Sequence, residues 1–210
     1  MDEALHQKLR EKYGTEQVYV VSFNKASMVP DFFSAPCCLP SVKKLDGEFI
    51  LRSDAEYSTV FIQIIPYILV LNQTYDKIYV MKRIAGEERL KDSLSLGCGG
   101  HINPVDIGTG NLIYNAAIRE MNEELNIVSP TKLKVVGTVR DMKSQTADHL
   151  GIVMTTTAKK VTVKEKESLK GKWMTFDDLF HNYDKFESWA RIIIDAMYLN
   201  GKSIKLLLSR

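Results

Sequence analysis

Cysteine is scarce: three in 210 residues, with Cys37 and Cys38 adjacent and Cys98 far away. That is too few and too poorly spaced for a disulfide-stapled secreted domain or a thiolate zinc site. A surplus of one charge is also missing. Lys and Arg number 28 against 26 Asp and Glu, a formal net charge of +2, so no global field draws the chain to nucleic acid or to an anionic membrane. Long hydrophobic runs are absent too. The most apolar stretch, Val60 to Leu71, spans twelve residues and carries Gln63 and Pro66, short of the ~20 residues of a bilayer-spanning helix. The opening MDEALHQKLREKYG is charged and helical in pattern, unlike a signal peptide. Internal repeats, low-complexity tracts and obvious flexible linkers are lacking. Together these absences predict a soluble, cytoplasmic protein.

What remains is ordinary globular material, 45% hydrophobic and 26% charged. The length suits one domain with an appendage. Residues 2–12 read as a helix and Val18 to Phe23 as a strand rich in β-branched and aromatic side chains. Three of the six prolines fall within residues 24–47, which read as irregular chain. A short strand over Glu48 to Arg52 follows. From residue 57 the pattern strengthens: a strand over Ile62 to Leu71, a turn over Asn72 to Asp76, and a hairpin partner over Lys77 to Arg83. A strand near Ser95 to His101, a helix near 112–125, strands near 132–141 and 148–158, and a closing helix near 184–199 complete the reading. This order predicts an α/β sandwich around a mixed sheet. Residues 1–56 form an N-terminal extension packed on a core domain of residues 57–210.

The helix near 112–125 carries the chemistry. At ~100° per residue, Tyr114, Ala117, Ile118, Met121 and Leu125 make its core-facing stripe. Glu120, Glu123 and Glu124 stand at i, i+3 and i+4, so their carboxylates crowd one adjacent strip. A hard divalent cation would turn that repulsion into binding, and Mg2+ favours carboxylate and water oxygens while bridging to substrate phosphates. Such a strip is more often a plain solvated face. Upstream, however, Gly99-Gly100 follows a strand, and residues without side chains let backbone approach a ligand or ion closely.

Gly100 followed by Arg119-Glu120-Met121-Asn122-Glu123-Glu124-Leu125-Asn126-Ile127 resembles the box of the Nudix hydrolase superfamily, G-x5-E-x7-R-E-U-x-E-E-x-G-U, where U is a bulky apolar residue. The resemblance implies an α/β/α sandwich and cleavage of a diphosphate bonded to some other group. It implies that Glu120, Glu123 and Glu124 bind Mg2+ or Mn2+ with help from the Gly100 carbonyl. Glu120 would also orient or deprotonate the attacking water, and Arg119 would hold the carboxylates in register, most simply through Glu123. Three departures stand out. Ten residues separate Gly100 from Asn111 where the family has five, so the 101–110 loop is enlarged. Asn111 stands in place of the first glutamate and suits a helix N-cap, with Asp106 a secondary candidate for the lost charge. Asn126 replaces the closing glycine, a mild change because Asn tolerates the left-handed conformation at a helix end.

Outside the box, Arg83, Arg89, Gly99 and His101 are candidates for contact with substrate phosphates, each with a plain structural alternative. An extra carboxylate could come from Glu165 or Glu167, although that segment reads equally as a solvated loop of mixed charge. Cys98 reads as buried, and Trp173, Phe176, Phe186 and Trp189 as packing. The leading function is metal-dependent hydrolysis of a nucleoside diphosphate-X type or related phosphoanhydride. The alternatives are an isoprenyl diphosphate isomerase-like enzyme, suggested by Cys98-Gly99-Gly100-His101, and an inactive nucleotide-sensing domain, suggested by Asn111. The partner implied is a small-molecule diphosphate. Stable nucleic-acid binding and membrane contact are not expected, and a homodimer is admitted.

Overall fold

Helix α1 (Glu3–Tyr13) leads into β1 (Gln17–Ser22), α2 (Phe23–Ala26), β2 (Glu48–Leu51) and α3 (Arg52–Ala55). Strands β3 (Phe61–Asn72), β4 (Lys77–Arg83), β5 (Leu94–Ser95) and β6 (Gly97–Gly99) follow, then α4 (Leu112–Glu124) and β7 (Leu125–Val128). The chain continues through β8 (Lys134–Val139), β9 (His149–Ala158), β10 (Lys160–Val163), β11 (Leu169–Thr175), α5 (Phe176–His181) and α6 (Ser188–Leu199). This computed structural model describes residues 3–26, 45–84, 93–143, 147–164 and 166–199. The stretch expected to be irregular falls largely outside them.

The apolar run becomes the central strand. β3 lies parallel to β9 from Gln63 opposite His149 to Asn72 opposite Ala158. Along its other edge it pairs antiparallel with β1 at residues 61–63, with β6 at 67–69 and with β4 at Leu71. Pro66 falls in the break between the β1 and β6 pairings, the kind of ladder gap in which a strand tolerates proline. β11 and β2 extend the sheet outward, β8 lies beyond β9, and β7 pairs with β10 in a separate ribbon.

Period-two alternation in β3 builds a core on each face. Ile62, Ile64, Ile68 and Val70 pack with Ala116, Ala117 and Met121 of α4. Ile65, Tyr67, Leu69 and Leu71 pack with Trp189, Ala190, Ile193 and Ile194 of α6. The molecule is therefore an α/β/α sandwich around a mixed sheet, as the sequence predicts. None of its described helices is long and apolar enough to cross a membrane.

Three local expectations are corrected. Ile118 is 47% exposed, and α4 instead buries Ala116, Ala117, Glu120 and Met121. The stripe is thus rotated toward Glu120, which carries that carboxylate under the edge of the core. Asn126 does not take a left-handed cap: α4 passes through an extended Leu125 (φ −126°) straight into β7, where Asn126 pairs with Thr162. Finally, the closing helix begins at Ser188, after a separate 3-10 turn at Tyr183–Lys185.

Candidate active site

The start of α4 is set by Asn111, whose Oδ1 accepts from the amides of Ile113 (3.1 Å) and Tyr114 (3.3 Å). This is N-cap geometry, so Asn111 is structural, as its residue type predicts. Just upstream, Asp106 closes a 3-10 turn at Pro104–Asp106, its Oδ2 accepting from the Asn103 amide (2.8 Å). Asn115 of α4 donates to the Asp106 carbonyl (3.0 Å) and fastens the turn to the helix.

One turn further along, Arg119 gathers the site. Its Nε and Nη2 donate to the two oxygens of Asp106 (2.8 and 2.9 Å), a bidentate pair with a carboxylate only 5% exposed. Its Nη1 donates to Glu120 Oε1 (2.8 Å) and Glu123 Oε2 (3.0 Å), and Nη2 also reaches the His101 carbonyl (2.8 Å). The Asp106 bonds come first in holding the guanidinium firmly protonated. The expected Arg119–Glu123 link is present, yet the two-point anchor is Asp106. Five residues separate Gly100 from Asp106, the family's own spacing to its first acidic residue, and the extra residues lie at 107–118 instead. Asp106 thus stands at the family's spacing from Gly100 and carries the two-point bond to Arg119; counted from Gly100, the enlarged interval is 107–118. Counting back from Arg119 misplaces it, because the insertion precedes the helix cap.

The Glu120 carboxylate packs directly on Gly100, and a side chain there would have to displace it. A Cβ there would stand 2.5–2.6 Å from the carboxylate atoms of Glu120, closer than real contacts allow. Burial pushes the Glu120 carboxyl above its ordinary range, with Arg119 pulling the other way. Glu123 has a 56% exposed side chain, and Glu124 lines the neighbouring cavity. The helix thus presents a graded strip of carboxylates, from buried Glu120 to exposed Glu123.

That cavity has a volume of about 780 Å³, within the range of small-molecule sites. Gly99, Gly100, Glu124 and His101 form part of its wall, and Arg83, Lys143 and Arg191 bring positive charge to it. Of the sequence candidates, then, Arg83, Gly99 and His101 meet at one cavity with the box. Arg89 and Glu165 lie outside the described residues. Glu167 is exposed in the turn between β10 and β11 and is not among the cavity's lining residues. Cys98 is 2% exposed, and burial pushes its thiol well up, away from a reactive thiolate.

A second cluster has no counterpart in the sequence reading. Glu56, His101 and His149 place one potential ligand atom each within 4.8 Å of one another. The three arrive from the end of α3, the residue after Gly100 and the first residue of β9. The 44 residues between Glu56 and His101, and the 47 between His101 and His149, hide this meeting from any local motif. Burial, then the Arg52 charge and His149, push the His101 imidazole well below its ordinary value.

Residues 63–197 match the NUDIX domain family. The chain is 34% identical over 158 residues to protein YmaB of Bacillus subtilis (strain 168), covering 70% of this chain and 76% of the relative. Among solved structures, it superposes on Tm1382, described as a candidate Nudix hydrolase, with a TM-score of 0.72 and 24% identity, covering 87% of this chain and 98% of that one. It also superposes on DR0079 of Deinococcus radiodurans, with a TM-score of 0.51 and 12% identity, covering 87% and 99%. The two structural likenesses concern the fold, whereas the domain match and the YmaB relationship bear on descent. The chain belongs to the NUDIX domain family of pyrophosphohydrolase enzymes.

Proposed function

We propose that this chain hydrolyses the phosphoanhydride of a small-molecule diphosphate, of the nucleoside diphosphate-X type or a close relative, with Mg2+ or Mn2+. The single observation that carries the reading is the Arg119 knot. One guanidinium ties Asp106, Glu120, Glu123 and the His101 carbonyl together, next to Gly100, His101 and Glu124, which line a cavity with Arg83, Lys143 and Arg191.

The donor set suits a hard cation. Arg119 occupies Oε1 of Glu120 and Oε2 of Glu123, which leaves the other oxygen of each, with Glu124 and the Gly100 carbonyl, as an all-oxygen set. When bound, such an ion neutralises charge that builds on phosphate oxygens during attack by water. The chain's own groups do the rest. Glu120, its carboxyl raised by burial, is tuned in the right direction for a general base that accepts the proton of water. Arg83, Lys143 and Arg191 hold the substrate phosphates and fix the anhydride toward the strip. Asp106 keeps Arg119 in place and is a positioning residue.

Burial of Cys98 supports hydrolysis over the isomerase reading, and the capping role of Asn111, with Asp106 on Arg119, supports it over the sensor reading. The chain is proposed to act on a small molecule, without nucleic-acid or membrane partners. A phosphate-release screen over diphosphate compounds with Mg2+ or Mn2+ tests the reading. Turnover that is lost with chelator supports it, and turnover undiminished in excess chelator overturns it.

A further inference from the structure

The Glu56, His101 and His149 cluster differs in kind from the carboxylate strip. Two of its three donors are imidazoles, which suit borderline ions such as Zn2+, whereas Mg2+ prefers oxygen throughout. We propose that Glu56, His101 and His149 form a second cation site, for a borderline divalent ion of the Zn2+ type, on the wall of the same cavity.

Four observations carry this. The ligand atoms already lie within 4.8 Å of one another, and an inward adjustment of roughly an ångström reaches zinc-ligand distances of ~2.0–2.2 Å. The Nε2 of His101 is buried with no hydrogen-bond partner, a state that ordinarily costs about 1–3 kcal/mol per group and that an ion would relieve. His149 is oriented by an outer carboxylate, its Nδ1 standing 2.7 Å from Asp148 Oδ1. Asp148 is itself fixed by the Tyr57 amide (2.6 Å) on Oδ2, so Nε2 is the ring nitrogen of His149 left for an ion, the carboxylate–histidine–metal arrangement of zinc sites. Glu56 is held by Arg52, whose Nε donates to its Oε1 (3.1 Å).

Arg52 is a cation beside the cluster, and its charge is accounted for. Its Nη1 pairs with Glu16 (3.0 Å), and its guanidinium sits 4.2 Å over the Tyr13 ring. Glu16 and Glu56 both pair with Arg52, and Asp148 adds a third carboxylate on the His149 side. Three protein ligands would leave a position open, and His101 and His149 both line the cavity that Glu124 also lines.

The site does not depend on the carboxylate strip, and the test separates the two. Full-length protein freed of metal is titrated with Zn2+ by calorimetry in saturating Mg2+, as wild type and as His149→Ala, Glu56→Gln and Glu124→Gln variants. The expected result is one Zn2+ equivalent, weakened at least ~10-fold by His149→Ala and by Glu56→Gln and kept by Glu124→Gln. If His149→Ala fails to fold, the imidazole nitrogens of wild-type protein are followed by NMR, where one Zn2+ equivalent shifts His101 and His149 together. Absence of a Zn2+ event, wild-type affinity in His149→Ala, or imidazole signals unmoved by Zn2+ overturns the proposal.

Discussion

The carboxylate strip and the imidazole cluster share one cavity and one connecting residue pair, Gly100-His101, yet they are built on opposite principles. The strip is a local device. Its acids come from little more than one helical turn of α4, and one arginine binds them to a turn thirteen residues back. It exposes Glu123 to solvent, so it gathers charge that water tolerates until an ion arrives. The cluster is a long-range device. It is assembled by sheet register, with His149 at the parallel start of β9 opposite Gln63, and it keeps a bare ring nitrogen out of water. Hard, charged donors can wait in solvent, whereas an imidazole pair drawn from distant elements has to be held by the fold. That contrast explains why one site survives an insertion of several residues in its loop, while the other rests on strand pairing.

The largest effects should fall on the strip. Glu124→Gln is expected to cut turnover by ~10² or more while moving stability by less than ~0.5 kcal/mol, the usual range for a change of this kind near the surface. Equal activity with a lower melting temperature would make Glu124 structural. Asp106→Asn should act the other way round, on stability first. Breaking a buried ion pair costs about 3–5 kcal/mol. The 21% exposure of the Arg119 side chain reduces this to roughly 2–3 kcal/mol, readable as a lower urea midpoint, with turnover falling as Arg119 loses its anchor. A melt indistinguishable from wild type would remove Asp106 from its place in the box.

Smaller effects sharpen the cluster and the cap. The imidazole of His101 titrates below its ordinary 6.5 in the folded chain, so the unfolded chain binds the extra proton first. Its contribution is therefore complete above pH 6.5 and is lost as pH falls from there toward the lowered folded value. In metal-free protein, His101→Asn should flatten the fall of melting temperature over that window. Parallel curves for the two proteins would contradict the burial of the ring. Asn111→Ala should cost only ~1 kcal/mol, the worth of an N-cap, and leave turnover close to wild type. A collapse of activity in that variant would return Asn111 to the catalytic box.

Much of this was legible in the sequence, for physical reasons that differ by residue. The period-two run of Ile62 to Leu71 and the helix spacing of Glu120, Glu123 and Glu124 are local patterns, and both appear in the fold where the pattern puts them. The place of Asp106 was also readable, from its five-residue interval after Gly100, but the count from Arg119 competes with it. Only the bidentate geometry decides between them. The β7–β10 ribbon escaped notice because its strands are four residues each and β7 continues directly from a helix. The helical angle alone puts Ile118 in the core because it ignores which part of the helix touches the sheet. Glu56, Asp148 and His149 carry no local signal: the parallel register of β3 and β9 sets the place of His149, and Glu56 comes from the end of α3.

The central claim is that buried Glu120, beside Gly100 and Arg119, works on water at a cation-dependent phosphoanhydride site. The most direct measurement compares wild type with Glu120→Gln on the best diphosphate substrate, with Mg2+ and with excess chelator, reading both product formation and substrate affinity. The account predicts cleavage at phosphorus that requires the cation, a fall of ~10² or more in turnover for Glu120→Gln, and affinity changed far less. Glu120→Gln turning over at the wild-type rate, or wild-type cleavage that persists in chelator, would contradict it.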